Sequence, residues 1–248
     1  MKGNLPEKIK IGKLNLSRTG YKQLISAICE TISENHKLVI AYANTRSFNL
    51  CYDSDSFRDI LNSFDIIHPD GTGIYLASRF LYGENGFTSR INGSDFYPLL
   101  KDVAAENNYG IFFFGEDPST LEKAVARNKD VKICGYRSGY NFNTDEVIQA
   151  VNESSAHILI IGLPTPLQEE FVYQHRDKLH VNVLLCVGEG IKVFAGTKIR
   201  GPMIFRKCGF EWFIRLLTNP VKYSGRYLIG NPLFLYRIIK LKLAKFET

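Results

Sequence analysis

The chain has 248 residues, of which 45% are hydrophobic and 23% are charged, so it can bury a full core and its composition excludes intrinsic disorder. No apolar stretch reaches the roughly 18 residues that a membrane-spanning helix needs, and the residues after Met1 do not resemble a secretory signal. The five cysteines are scattered, which predicts reduced thiols in a cytoplasmic protein rather than a disulfide framework or a zinc site.

The excess positive charge lies in the last fifth of the chain. The 31 basic and 25 acidic side chains give a net charge of +6. Eleven basic residues, but only the acids Glu211 and Glu247, follow residue 196. This asymmetry predicts a polyanionic partner, either nucleic acid or an anionic membrane surface, with a solvated basic face as the alternative.

Short apolar runs alternate with helix-like segments through residues 1–196. The runs predict strands at 38–42, 64–67, 111–114, 131–133, 158–161 and 183–187. Helical spacing predicts helices over about 20–33, from 71 onward, and over about 94–107, 119–127, 145–153 and 166–176. Continuous apolarity suits strands covered on both faces. We therefore predict an α/β fold, with a mostly parallel, Rossmann-like sheet flanked by helices over 1–196 and a helical basic appendage over 197–248.

An acidic triplet, Asp53-Ser54-Asp55, resembles the metal-binding Asp-x-Asp of many sugar-nucleotide enzymes. Apolar residues follow it at helical spacing, at Phe57, Ile60 and Leu61. We therefore interpret the triplet as the start of a helix.

The most informative segment joins a predicted buried strand to a predicted helix at Pro69-Asp70-Gly71. Pro69 cannot donate a ladder hydrogen bond, so the strand should end there. Asp70 then lies at the carboxyl end of a strand and beside a helix N-terminus, whose dipole stabilises a carboxylate. An ordinary helix N-cap is the alternative role for Asp70. His68 is expected to fill a loop rather than to act as an acid or a base.

Polar side chains and glycines follow other predicted strands as well. Ligands of parallel sheets bind beyond the carboxyl ends of the strands, although any one of these loops is also typical of an ordinary turn. Together they predict one substrate-binding site, formed by Asn44, Thr45, Gly71, Thr72, Gly73, Gly115, Glu116, Gly162, Gln168, Gly188 and Glu189. Arg90 precedes another predicted helix and either clamps a phosphate or contacts solvent.

Several other motifs are absent from the sequence. Gly71-Thr72-Gly73 lacks the third glycine of a dinucleotide fingerprint, and no Walker lysine follows a glycine cluster. These absences disfavour a nucleotide-dependent oxidoreductase. We identify no metal ligands, so we expect a metal-independent reaction and keep Mg²⁺ as an alternative.

Motifs along nearly the whole chain resemble those of the WecG/TagA/CpsF glycosyltransferases. They are Asn44-Thr45, residues 69–74, 90–95, 162–169 and 194–196, and in the tail residues 209–212, 215–217, 226–228 and 230–232. The resemblance implies an inverting enzyme of bacterial cell-surface polysaccharide synthesis, bound peripherally to the cytoplasmic face of the membrane. It would transfer a hexose, an N-acetylhexosamine or an N-acetylhexosaminuronate from a UDP-sugar donor to a polyprenyl-diphosphate-linked sugar, and the sequence leaves the choice among them open.

The resemblance also implies roles for individual residues. Asp70 would be the catalytic base, and the family's motif Thr, Arg and Gln correspond to Thr45, Arg90 and Gln168. Arg90 would neutralise the departing diphosphate, while Thr45 and Gln168 would orient sugar or acceptor hydroxyls. The chain departs from the family pattern at Lys192, where relatives usually carry Asp, and Glu189 is the candidate to compensate.

The basic tail interleaves aromatic and aliphatic side chains with cations, a pattern typical of helices that lie in a bilayer interface. Arg215, Lys222, Arg226 and Arg237 are expected to contact the anionic membrane or to close the active site, with Arg215 or Arg226 over Asp70. The apolar stripe of the tail would alternatively pack on the catalytic domain, or do both in turn.

Two matters stay open at this point. A non-enzymatic adaptor that binds a membrane or nucleic acid would explain the tail, but not the polar strand ends. The enzyme interpretation requires no nucleic acid, and it leaves the oligomeric state open, with a homo-oligomer as one possibility.

Overall fold

A computed structural model describes residues 5–198 and 211–244, apart from the side chains of Glu211, Arg215 and Lys222. The strands are β1 (Lys8–Ile11), β2 (Leu14–Ser17), β3 (Leu38–Ala43), β4 (Ile66–Pro69), β5 (Ile111–Gly115), β6 (Ile133–Arg137), β7 (Ile158–Gly162) and β8 (Val183–Cys186). The helices are α1 (Tyr21–Ser33), α2 (Thr45–Asp53), α3 (Asp55–Asn62), α4 (Thr72–Tyr82), α5 (Gly93–Glu106), α6 (Pro118–Arg127), α7 (Thr144–Glu153), α8 (Leu167–His175), α9 (Ile191–Phe194), α10 (Glu211–Thr218), α11 (Pro220–Ser224) and α12 (Gly230–Ala244). A π-helical turn, Gly225–Ile229, leads into α12.

Six strands form one sheet in the order β4-β3-β8-β7-β5-β6, and every neighbouring pair is parallel. The predicted α/β fold with a parallel sheet is therefore confirmed. Parallel pairing brings the carboxyl ends of β3, β4, β5, β7 and β8 to the same edge of the sheet. The β1–β2 hairpin, which the sequence analysis did not predict, lies beside β4, where the Ile67 amide donates to Ser17 Oγ at 3.1 Å.

Both faces of the sheet are covered, as the continuous apolar runs predict. Alternate residues of β3 point to opposite faces, so Val39 and Ala41 enter one hydrophobic cluster and Leu38 and Ile40 the other. Helices α2, α3, α4, α7, α8 and α12 contribute to the first cluster. Helices α1, α5, α6 and α9 contribute to the second.

Two strand predictions need correction. His68 is part of β4 and is buried, with its ring centroid 6.4 Å from those of Tyr42 and Phe96, so its predicted loop position is wrong. Burial lowers its pKa, which leaves the imidazole neutral. Strand β6 begins at Ile133, where the predicted strand ends, because this half-exposed edge strand has no continuous apolar run.

Helix α12 is apolar on two sides. Phe234 and Ile238 are buried against the body, and the Phe234 ring meets Phe48 of α2 edge-on at 5.0 Å. On the other side Leu235 and Ile239 are more than half exposed. Helix α12 therefore packs on the α/β body and presents apolar side chains to solvent at the same time.

No helix in residues 5–198 or 211–244 combines the length and apolarity needed to cross a membrane.

The packing of α12 can be tested with two neighbouring substitutions. We expect Phe234→Ala to lower the free energy of unfolding by about 3 kcal/mol, because it leaves a cavity against Phe48. Leu235→Ala should change it by less than about 0.5 kcal/mol, because that side chain is exposed. Urea unfolding measures both, and equal losses of stability would contradict the packing of α12 on α2.

Candidate active site

The Asp70 carboxylate joins β4 to the N-terminus of α5. Its Oδ1 atom accepts a hydrogen bond from the Gly93 amide at 3.1 Å, and its own amide donates to the Ala43 carbonyl at 2.8 Å. Helix α4 is instead capped by Gly71, which adopts φ +83°. Asp70 is therefore not the N-cap of α4, and its half-buried carboxylate is held by the dipole of a different helix.

Arg90 lies at the N-terminus of α4. Its Nη1 donates to Thr72 Oγ1 at 3.0 Å, so the guanidinium is directed toward the first turn of that helix. A Cβ added at Gly71 would meet no atom within 4 Å, so the approach to this turn is open. The first amides of a helix have no partner within the helix. Together with a guanidinium they form a setting suited to an anion.

Thr45 contacts the C-terminal segment. Its hydroxyl donates to Asn231 Oδ1 at 3.1 Å, and its methyl group would lie 2.5 Å from a Cβ added at Gly73. Asn44 uses its side chain to cap α2, accepting from the amides of Arg46 at 3.0 Å and Ser47 at 3.3 Å. Thr45, just after the end of β3, is thus close to α4, whereas the neighbouring Asn44 side chain serves as the N-cap of α2.

Two tyrosines that the sequence analysis did not identify, the buried Tyr97 and the half-buried Tyr42, lie near the candidate base. Tyr97 Oη would lie 2.6 Å from a Cβ added at Gly93. Burial above all, and then the Asp70 charge and Tyr42, raise the pKa of Tyr97 well above its ordinary value. Burial likewise raises the pKa of Tyr42. Both phenols are therefore protonated near Asp70. Gly93 and Tyr97 are four residues apart, or about one helical turn, so this spacing could have indicated from the sequence that Tyr97 lies beside Gly93.

Glycines let the ends of β5, β7 and β8 approach one another. Gly115, with φ +136°, would place a Cβ 2.5 Å from the Gly162 backbone. A Cβ at Gly188, with φ +52°, would lie 2.5 Å from Tyr42 Oη. Larger residues at these positions would separate the loops. The three predicted glycines are thus brought together at one edge.

Lys192 and two acidic residues form a second polar group at this edge. Lys192 Nζ lies 3.5 Å from Glu116 Oε2, and Glu116 adopts φ +53°. Burial raises the pKa of Glu116, with Lys192 opposing and Glu189 adding to the shift. The Tyr223 hydroxyl, from α11, donates to Glu189 Oε2 at 3.3 Å. The residue that departs from the family pattern is therefore paired with a predicted site residue.

Gln168 is fully buried in the first turn of α8. Its Oε1 accepts from the Gly188 amide at 2.9 Å, and its Nε2 donates to Glu169 Oε1 at 2.8 Å. The expected direct contact with sugar hydroxyls does not fit this position, because both ends of the amide are occupied inside the protein. Gln168 instead connects α8 to the loop after β8.

The basic residues of the tail are placed differently from one another. Arg237 is expected at the membrane or the active site, but it forms an ion pair with Asp53 and donates to the Asn49 carbonyl at 2.9 Å, which docks α12 on α2. Arg226 lies over the Tyr227 ring at 5.4 Å, and its Nε is buried without a hydrogen-bond partner among the described residues. The side chains of Arg215 and Lys222 lie outside the described residues.

Ser54 and Asp55 begin α3, as predicted, whereas Asp53 is the last residue of α2. Ser54 Oγ accepts from the Phe57 amide at 3.1 Å, and Asp55 pairs with Lys13 and Arg58. Within 5–198 and 211–244, no cluster of three or more His, Cys, Asp or Glu side chains is arranged to hold a metal ion.

Comparison with known proteins shows to which family this chain belongs. A sequence profile of the Glycosyl transferase WecG/TagA/CpsF family matches residues 9–247. A Bacillus spizizenii protein is 28% identical over 213 residues, covering 84% of this chain and 81% of its own length. A Staphylococcus aureus protein is 27% identical over 242 residues, covering 95% and 93%. Both are named N-acetylglucosaminyldiphosphoundecaprenol N-acetyl-beta-D-mannosaminyltransferase. Since the profile spans the sheet, the candidate site and the tail, the chain belongs to the WecG/TagA/CpsF family of glycosyl transferases.

Proposed function

We propose that this protein is an inverting glycosyltransferase that moves a sugar from a UDP-sugar to a polyprenyl-diphosphate-linked saccharide. The observation that carries the proposal is the half-buried Asp70 carboxylate, fixed on the α5 N-terminus and beside the open first turn of α4. The relatives are named for N-acetylmannosamine transfer to N-acetylglucosaminyl-diphospho-undecaprenol. That pair of substrates is therefore the first to test.

Asp70 acts as the general base in a single displacement. The acceptor hydroxyl oxygen bonds to C1 of the donor sugar while the bond from C1 to the UDP oxygen breaks, and the electron pair leaves with UDP. Because Gly93 holds Oδ1, we assign Oδ2 as the atom that receives the hydroxyl proton. A positioned carboxylate of this kind typically contributes 10²- to 10⁴-fold to the rate.

The leaving diphosphate binds at the first turn of α4. Backbone amides there carry the positive end of the helix dipole, and Arg90 supplies a guanidinium next to Thr72. Arg226 adds a second cation from the tail, since its charge acts on Tyr42 of β3 and opposes the rise in the pKa of that phenol. These groups stabilise the negative charge that develops as UDP departs.

The tail attaches the enzyme peripherally to the cytoplasmic face of the membrane, where a lipid-linked acceptor resides. This attachment is supported by the exposed apolar side chains on the C-terminal helices and by the basic residues near them. The apolar residues are Leu217, Val221, Leu228, Ile229, Leu235, Ile239 and Leu243. Amphipathic surfaces of this composition bind anionic bilayers by apolar burial and electrostatic attraction.

Asp70→Asn tests the base directly. The amide can still accept from Gly93 but cannot take the proton, so we expect kcat to fall by about 10² or more. The UDP dissociation constant, measured by calorimetry, should change less than about threefold. Asp102→Asn, an exposed position on α5, is the control and should retain wild-type turnover. An Asp70→Asn enzyme with wild-type kcat would overturn the proposal.

A double substitution on α12, Leu235→Glu with Ile239→Glu, tests membrane attachment. It removes apolar area and adds repulsion from anionic lipid, so binding to phosphatidylglycerol vesicles should weaken at least about tenfold. Cosedimentation measures the binding, and UDP affinity should stay unchanged. Leu99→Glu on α5, also exposed, is the control. Wild-type vesicle binding by the double variant would contradict this attachment surface.

A further inference from the structure

A completely buried carboxyl group lies behind the candidate site. Glu169 follows Gln168 in α8, and neither side chain is exposed to solvent. Removing an ionisable group from water is costly unless it is paired or neutral. The charge of Glu169 acts on Tyr42, Cys51 and Cys186, none of which is a cation. The Arg46 guanidinium donates to the Thr165 carbonyl at 3.3 Å. Glu170 beside Glu169 adds a like charge. Burial of a carboxyl group in these surroundings suggests that Glu169 has a specific structural or functional role.

The hydrogen bonds of Glu169 lead to the active-site edge. Its Oε1 accepts from Gln168 Nε2 at 2.8 Å and from Thr165 Oγ1 at 3.1 Å. Gln168 Oε1 in turn accepts from the Gly188 amide at 2.9 Å. The three contacts connect the first turn of α8 to the backbone immediately after β8.

This arrangement determines the orientation of the Gln168 amide. A carboxyl oxygen that accepts from Nε2 keeps Oε1 directed at the Gly188 amide. Rotating the Gln168 side-chain amide by 180° would place its NH₂ group against the Gly188 N–H, a pair of donors without an acceptor. Burial raises the pKa of Glu169, which favours the neutral acid whose carbonyl oxygen remains an acceptor.

The segment that Gln168 holds is Gly188–Gly190, which carries Glu189 to the group formed by Glu116, Lys192 and Tyr223. Gly188 has φ +52° and fits against Tyr42 Oη. A small rotation of this turn would move Glu189 away from Tyr223.

We propose that Glu169 is a positioning residue that fixes the Gln168 amide and, through it, holds the Gly188–Gly190 turn in place for donor binding. The donor part of this inference rests on the proposed function, whereas the immobilisation of the turn does not.

Glu169→Leu tests the inference, because it fills the space of the side chain but removes the acceptor. We expect the amides of residues 188–190 to exchange hydrogen at least tenfold faster in mass-spectrometric measurements. We also expect the dissociation constant for UDP to rise at least tenfold, with the melting temperature within a few degrees of wild type. Glu169→Gln retains an acceptor oxygen, so both quantities should return to within threefold of wild type.

Glu170→Leu, at the neighbouring position on α8, is the matched control and should leave exchange at 188–190 and UDP affinity unchanged. If Glu169→Leu does not fold, Glu169→Met is measured in its place. Wild-type exchange at 188–190 in the folded apolar variant overturns the inference, and so does failure of Glu169→Gln to restore it. If the wild-type protein binds no UDP, the proposed donor is wrong, and the exchange experiment still decides the role of Glu169.

Discussion

The hydrogen bond from the Gly93 amide to the Asp70 carboxylate is the contact on which the proposed chemistry of this protein depends. It fixes one carboxylate oxygen at the N-terminus of α5, and this leaves the other oxygen for a proton. The adjoining residue, Gly71, is the N-cap of α4, so the N-terminus of a second helix lies beside the Asp70 side chain. A carboxylate and the N-terminus of a second helix therefore lie next to each other, which is the arrangement that the proposed displacement with a diphosphate leaving group requires.

The C-terminal helices are part of the site as well as a surface. Asn231 accepts from Thr45, and the Gly230 carbonyl accepts from Asn49 at 2.7 Å. Phe234 completes the hydrophobic cluster over the sheet. Because the same helix exposes apolar side chains on its far side, the proposed membrane contact and the geometry around Thr45 depend on one helix. This coupling suits an enzyme whose acceptor remains in the bilayer.

Local patterns were sufficient to predict five of the six strands of the parallel sheet, and the edge at which the polar residues meet, because parallel strands all end on one side. They also predicted the position of Asp70 between β4 and α4, since Pro69 and Gly71 mark that junction. They could not reveal that Gly93 holds Asp70, because that contact joins residues far apart in sequence. For the same reason the burial of Gln168 and the inward turn of Arg237 toward Asp53 escaped prediction. The β1–β2 hairpin was missed because strands were predicted from continuous apolar runs, whereas Lys8–Ile11 alternates polar and apolar residues, as a half-buried antiparallel strand does.

The anomeric configuration of the product tests the central claim most directly. With a donor of known configuration and a short-chain lipid-diphosphate acceptor, proton NMR of the freshly formed disaccharide reports whether C1 has inverted. A single displacement with Asp70 as the base predicts complete inversion. A product that retains the donor configuration would contradict it, because retention requires a different mechanism in which Asp70 does not serve as the base of one in-line step.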